Sequence, residues 1–159
     1  MNWVYTLSDD EFACAEVVTD RRQRLNNGNG FEGTALRSGV QRDRHQLQGV
    51  MSEIGVSRVL NLSWSGCGNG TKGLADVGDR YEVRSVDELF KGLLVNGHDR
   101  HKERVYILVH FTLPRSVNLI GWAVGDDVVK IGVGRGLDGK YPYWVLGRDK
   151  LKSMDVIGI

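Results

Sequence analysis

The order of the hydrophobic patterns along the chain is the feature that most limits its fold. Up to about residue 60 the apolar residues recur at helical spacing, whereas beyond residue 74 they follow the two-residue alternation of strands. Helical segments followed by a run of strands are typical of a sheet that helices cover. The sequence therefore predicts one α/β (α+β) domain over residues 1–159, with a central mixed β-sheet flanked by helices.

Two helices are predicted in the first part of the chain. Ser8-Asp9-Asp10-Glu11 has the form of a capping box, which marks a helix start. The apolar stripe behind it consists of Phe12, Ala15, Val18, Arg22 and Leu25. Asn26-Asn27-Gly28 is predicted to end this helix. Residues 26–44 are rich in glycine and arginine and are predicted to form a long loop, and a second helix is predicted over Gln46–Leu60.

The rest of the chain reads as strands separated by turns. A short strand or strand end is predicted at Leu74–Gly78. The full strands are predicted at Arg80–Val86, Leu93–Val95, Val105–Thr112, Leu119–Val124, Val128–Val133 and Trp144–Leu146. We expect Leu93–Val95 to continue a hairpin with the strand before it. Val128–Val133 is expected to pair with Leu119–Val124 across the turn Gly125-Asp126-Asp127, and Trp144–Leu146 to be an edge strand.

Composition excludes several classes of protein. The net charge of +1 means that any nucleic-acid contact must come from local clustering of charge. Cys14 and Cys67 match no metal-ligand spacing and are expected to be reduced thiols. The longest apolar run, Val105–Val109, is far too short to cross a bilayer, and the first residues do not read as a secretory signal. The sequence therefore predicts a soluble, cytoplasmic protein without a membrane partner.

Two acidic residues near the start of the first strand carry the chemical prediction. Alternation along Arg80–Val86 places Glu82 and Arg84 on one face. Asp76 lies six residues before Glu82, across Gly78-Asp79, where a turn can bring the two carboxylates together. Converging carboxylates suit Mg²⁺ or Mn²⁺, and a nearby guanidinium can hold a phosphate. Asp76 and Glu82 are therefore predicted to bind a divalent metal.

The order of three short motifs resembles a known superfamily. The motifs are Gly49-Val-Met-Ser-Glu53, Ala75-Asp76-Val77-Gly78 and Tyr81-Glu82-Val83-Arg84, followed by Ile120-Gly121-Trp122, Tyr143-Trp144 and Leu151-Lys-Ser-Met154. In this order they resemble the PD-(D/E)XK, restriction-endonuclease-like nucleases, and more narrowly small phage-encoded members. The resemblance covers residues 45–154 as a nuclease-like core and leaves residues 1–44 as an N-terminal helix and basic loop.

The resemblance implies a metal-dependent endonuclease, a hydrolase that acts on DNA, with RNA left open. Asp76 and Glu82 would be its metal ligands, and Glu53 a supporting acid that contributes to catalysis and to metal binding. Arg84 would take the catalytic position of the family's lysine. This is a departure from the family, because arginine stays charged and can orient or stabilise a group but cannot take up a proton.

Further residues are predicted around this site. Lys72 and Lys91 are candidates for a displaced lysine. Contacts to nucleic-acid phosphates are predicted for Lys72, Arg42, Arg44 and Arg80. Trp64, Trp122 and Trp144 are expected to pack in the core or on the sheet, with base stacking as the alternative for one of them. A homodimer would fit cleavage of both strands.

Two other interpretations stay open. In the first, the change from lysine to Arg84 marks lost hydrolysis, and the chain is a catalytically inactive nucleic-acid-binding module on the same fold. In the second, the fold is a phage or host protein-interaction domain with no metal affinity. The three hypotheses differ in what they predict for metal dependence and for cleavage.

Overall fold

The computed structural model describes residues 3–28, 39–64, 66, 74–97, 101–136 and 142–158. In chain order, their helices and strands are β1 (Val4–Thr6), α1 (Asp9–Gly28), α2 (Gly39–Val59), β2 (Tyr81–Val86), β3 (Leu93–Asn96), β4 (Val105–Thr112), β5 (Ser116–Val124), α3 (Gly125–Ile131), β6 (Val133–Arg135) and β7 (Tyr143–Leu146). Two short 3₁₀ helices follow, at Arg148–Lys150 and Met154–Val156. The predicted mixture of helices and strands in an α+β fold is confirmed.

A four-stranded mixed sheet forms the centre of the molecule. Its order is β1-β5-β4-β2, in which β2 runs parallel to β4 and the other pairs are antiparallel. Tyr81 is level with Val105, so the first residues of β2 and β4 lie side by side. Strand β4 is apolar along nearly its whole length because it is buried on both faces. Strand β2 is an edge of this sheet.

Two apolar clusters cover the two faces of this sheet. On one face, helix α2 packs through Val50 and Ile54 against Tyr81 and Val83 of β2. On the other, Tyr106 of β4 packs with residues of α3 and of a smaller antiparallel sheet of order β3-β7-β6. The predicted alternation along β2 is confirmed, and Glu82 and Arg84 therefore lie on the face opposite α2.

Both predicted helices are present, as α1 and α2, but α2 begins earlier than predicted. The capping box at the start of α1 is formed as predicted: the Glu11 N–H donates to Ser8 Oγ at 3.2 Å, and the Ser8 N–H donates to the Glu11 carboxylate at 3.0 Å. Helix α2 begins at Gly39, before the predicted Gln46. The predicted 26–44 loop was thus too long at both ends, and residues 29–38 lie outside the described part of the chain.

The hairpin predicted across Gly125-Asp126-Asp127 is wrong. Residues Gly125–Ile131 form helix α3, and Leu119–Val124 is part of β5, which pairs with β4 and β1. The β-branched pair Val128-Val129 favours a strand by propensity, but Val128 is completely buried in the cluster around Tyr106. Tertiary burial therefore decides the conformation of this segment.

Two predictions about the smaller sheet are also wrong. Leu93–Asn96 forms no hairpin with the strand before it, since it pairs with the distant β7. Strand β7, predicted at an edge, lies in the middle of its sheet between β3 and β6. Both errors concern pairings between residues far apart in sequence, which local patterns do not record. None of the helices in the described part of the chain combines the length and apolarity needed to traverse a lipid bilayer.

Candidate active site

Asp76 lies in the turn that leads into β2, with its carboxylate fixed against the outer edge of that strand. The backbone N–H of Val83 donates to Asp76 Oδ2 at 2.8 Å. The chain reverses between Val77 and Tyr81, which form an isolated antiparallel bridge, and Gly78 takes the positive φ of 58° that this turn needs. A tight turn therefore folds Asp76 back beside the strand that carries Glu82.

Glu82 and Arg84 meet Asp76 at this edge. The Arg84 guanidinium stacks over the Tyr106 ring, 5.3 Å from its centroid, and donates from Nη1 to the Val83 carbonyl at 3.1 Å. The same Nη1 atom lies 3.6 Å from Asp76 Oδ2 and 3.6 Å from Glu82 Oε2. The two carboxylates therefore converge on one nitrogen, so the distance between Asp76 Oδ2 and Glu82 Oε2 is at most twice 3.6 Å.

Arg104 is a third member of the group, and the sequence analysis did not identify it. Its Nη1 donates to Glu82 Oε1 and, at 3.1 Å, to the carbonyl of Leu74. Arg104 is only 8% exposed. It precedes β4, and the parallel pairing of β4 with β2 brings it beside Glu82. One buried guanidinium thus anchors both the Glu82 side chain and the backbone that leads to Asp76.

Glu53 is held differently, by a closed set of hydrogen bonds. Both of its oxygens accept from Arg22 of α1, at 2.8 and 2.7 Å, and Oε2 also accepts from the Trp64 indole at 3.0 Å. Burial raises the pKa of Glu53, the hydrogen bonds and charge of Arg22 oppose that rise, and the nearby Asp76 carboxylate adds to it. Glu53 is therefore close to Asp76 in space, but its oxygens are already occupied.

The electrostatics single out Glu82. Its pKa is raised from 4.5 to about 7, first by burial and then by the Asp76 carboxylate, while Arg84 and Arg104 lower it. A carboxyl group that titrates near neutrality beside a second carboxylate is a site for a proton or for a cation. Such perturbed groups are typical of functional sites, although structural ion pairs also produce them.

The ligands at this edge are of the type that a hard divalent cation binds, but they are few. Asp76 and Glu82 offer oxygen atoms only, and Mg²⁺ is commonly held by one or two carboxylates together with water. Within the described residues, no three acidic, histidine or cysteine side chains are grouped as a complete metal site. Glu53 cannot join as a third ligand unless its bonds to Arg22 are broken. The fit is thus to a two-carboxylate site.

The residues predicted to contact nucleic acid are scattered. Arg44 is exposed on α2. Arg80 is exposed as well, but it donates to the carbonyl of Gly158 at 2.7 Å and to the Tyr81 hydroxyl at 3.0 Å. Lys91, a candidate for the displaced lysine, is paired with Asp87 at 2.7 Å. Lys72 and the side chain of Arg42 lie outside the described part of the chain.

Comparison with known protein families, with curated proteins and with solved structures finds no match to this chain. The functional argument therefore depends on the geometry and the chemistry of the site itself.

Proposed function

We propose that this protein is a divalent-metal-dependent nuclease that hydrolyses phosphodiester bonds, with DNA as its substrate. The observation that carries the proposal is the convergence of Asp76 and Glu82 on a single nitrogen of Arg84. Two oxygen ligands beside a guanidinium form a suitable group for a metal and a phosphate together. The resemblance to the PD-(D/E)XK nucleases in motif order supports the same conclusion.

Each side chain has a distinct task in this proposal. Asp76 and Glu82 would hold the cation, which would supply positive charge at the phosphate and lower the pKa of water. Arg84 orients the phosphate and stabilises the charge that develops on it. Arg104 keeps Glu82 in place through its bond to Oε1. Glu53, closed off by Arg22, supports the position of the neighbouring Trp64.

Nicking of supercoiled plasmid DNA by the purified protein tests the proposal. We expect nicking with Mg²⁺ or Mn²⁺, its loss in EDTA, and its loss in Asp76→Asn and in Glu82→Gln. Asp79→Asn is the matched control, because Asp79 is an exposed aspartate in the same turn. An inactive wild-type protein, or equal nicking by Asp76→Asn and Asp79→Asn, would show that the proposal is wrong.

A second candidate is a nucleic-acid-binding module that does not cleave. It is favoured by the position of Arg84, whose guanidinium already contacts both carboxylates. Under this hypothesis DNA binding is sensitive to salt and persists in EDTA, without nicking under any metal condition. Gel-shift measurements in EDTA over a range of salt concentrations, made beside the nicking assay, distinguish the two candidates.

A further inference from the structure

A cleft of about 420 Å³ opens between the start of α1 and the end of α2. Its apolar wall consists of Ile54, Leu62 and Trp64. Ile54 is buried, whereas the other two are partly exposed to the cleft. The cleft is large enough for one small organic ligand, since ligand sites in proteins typically span about 300–1,000 Å³.

The indole of Trp64 gives this wall a fixed orientation. Its Nε1 donates to Glu53 Oε2 at 3.0 Å, and Glu53 is itself held at both oxygens by Arg22. The ring therefore does not need to be ordered when a ligand arrives. An immobile aromatic ring with a solvent-accessible side is a platform on which planar heteroaromatic groups stack.

The polar side of the cleft carries the Arg58–Glu11 ion pair and one further charge, the Asp10 carboxylate. Arg58 donates from Nε to Glu11 Oε1 at 2.7 Å, and its side chain remains 60% exposed. The Arg58 guanidinium also interacts with the Tyr5 side chain, and its exposed N–H groups can donate to a ligand in the cleft. Asp10, which also lines the cleft, is exposed and forms no ion pair or side-chain hydrogen bond with any residue that the structure describes. The cleft thus offers both donors and acceptors.

This combination favours an uncharged planar ligand with a mixed hydrogen-bonding edge. A free phosphate would face Asp10 and Glu11, and a lysine or arginine side chain would face the Arg58 guanidinium. A nucleobase carries no net charge and presents carbonyl and ring-nitrogen acceptors beside amino donors. It also offers a flat face to Trp64.

We propose that the cleft binds one nucleobase of the substrate strand, stacked on Trp64, with Arg58 and Asp10 bonding to its edge. The choice of ligand rests on the proposed nuclease function. Two interactions link the cleft to the proposed metal site: Trp64 bonds to Glu53, and the Asp76 carboxylate raises the pKa of Glu53. The site would fix the position of the strand relative to the scissile bond.

Binding of free nucleosides in EDTA tests the proposal without requiring cleavage. Cys14 is an exposed thiol that lines the cleft, so its alkylation, followed on its own proteolytic peptide, reports occupancy. We expect the four deoxynucleosides to slow this alkylation, with Kd on the order of 0.1–1 mM for ligands of this size. At least one should bind several-fold more tightly than the others, because Arg58 and Asp10 read its edge.

Variants identify the residues responsible. Arg58→Ala and Trp64→Leu should each weaken protection by at least tenfold, whereas Arg24→Ala should leave it unchanged. Arg24 is the matched control because it is an exposed arginine of α1 whose side chain pairs only loosely with Asp20, at 3.9 Å. Circular dichroism verifies that Trp64→Leu is folded, and Arg58→Ala provides the same test at an exposed position.

Three outcomes would overturn the proposal. The first is no protection by any nucleoside at 10 mM, about a hundredfold above the tighter expected Kd. The second is equal protection by N-acetyl-lysine amide, which would indicate a cationic peptide ligand, and the third is full protection in both variants. The proposed nuclease function fails separately. If nucleosides protect Cys14 but plasmid is never nicked, the base-binding proposal is supported and the proposed nuclease function is wrong.

Discussion

Two acid–arginine groups, one between α1 and α2 and one at the edge of β2, differ in how completely their carboxylates are bonded. Glu53 accepts two hydrogen bonds from Arg22 at 2.8 and 2.7 Å, the geometry of a bidentate ion pair. Asp76 and Glu82 share Arg84 at 3.6 Å, which is an ion-pair distance and too long for a hydrogen bond. In the first group both oxygens of Glu53 are bonded to a guanidinium. In the second, Arg104 holds only Glu82 Oε1, and Glu82 Oε2 meets Arg84 at the longer distance, which leaves room for another charged partner.

The difference shows how the same residue types can serve structure in one place and chemistry in another. A closed pair between two helices fixes α1 against α2 and offers nothing to a ligand. An open pair of carboxylates, one of which has a pKa of about 7, can still bind a cation. The predictions below test this contrast between the closed group around Glu53 and the open group around Glu82.

The largest effect is expected from removing Arg22. In Arg22→Ala the buried Glu53 loses both guanidinium bonds and remains as an uncompensated buried charge. Breaking a buried pair in this way costs about 3–5 kcal/mol of the free energy of unfolding. Urea unfolding at pH 7 measures the loss, with the exposed Arg24→Ala as control, for which we expect a change of less than about 0.5 kcal/mol. Similar values for both variants would contradict a closed structural pair.

The next effect concerns the pH dependence of stability. The pKa of Glu82 is raised from 4.5 to about 7 in the folded protein, so the folded state binds its proton more tightly than the unfolded chain does. The stability that results is fully present below pH 4.5 and is lost as the pH rises through about 7. In Glu82→Gln this loss should disappear, although the Asp76, Arg84 and Arg104 charges that face the position remain.

Urea unfolding of both proteins between pH 4 and pH 8 checks this expectation. The difference between the two profiles isolates Glu82, because the histidines and other titrating groups are common to both. Parallel profiles would mean that Glu82 titrates at an ordinary pH, and the open group would then lack its distinguishing property.

Local sequence signals were sufficient to predict the elements that carry the site. The Ser8–Glu11 capping box specified the start of α1, and the alternation along Tyr81–Val86 specified which side chains of β2 share a face. Both signals act within a few residues, where the backbone follows propensity and spacing closely. Helix α3 was missed because burial of Val128 overrides the strand preference of its β-branched residues.

The site itself was only partly predictable. A turn across Gly78 and a six-residue separation were enough to expect Asp76 near Glu82, and the structure brings them together. Arg104 was not found because its place depends on parallel pairing of β4 with β2, and no local pattern records that pairing. Arg22 did leave a signal, since an arginine in the apolar stripe of α1 needs a buried acidic partner.

A divalent cation should stabilise the open group and leave the closed group unaffected. At pH 7.5, Mg²⁺ at ten times its Kd should raise the free energy of unfolding by about 1.4 kcal/mol. Asp76→Asn should abolish this gain, and Asp79→Asn should keep it. Thermal unfolding with added MgCl₂ and then with excess EDTA measures the effect and its reversal. An equal gain in Asp76→Asn would place the cation elsewhere on the protein.

The smallest effect is expected for Arg84→Ala, and it sharpens the contrast with Arg22→Ala most directly. Arg84 contacts its carboxylates at 3.6 Å and is partly exposed, so its removal should cost less than about 1 kcal/mol. The cost should be larger above pH 7, where Glu82 is charged, than at pH 5, where Glu82 is protonated and only the contact with Asp76 remains. Urea unfolding at both pH values measures it. If Arg84→Ala lowers the free energy of unfolding as much as Arg22→Ala does at both pH values, Arg84 forms a structural ion pair as Arg22 does. The carboxylates at this edge would then not be available to a metal.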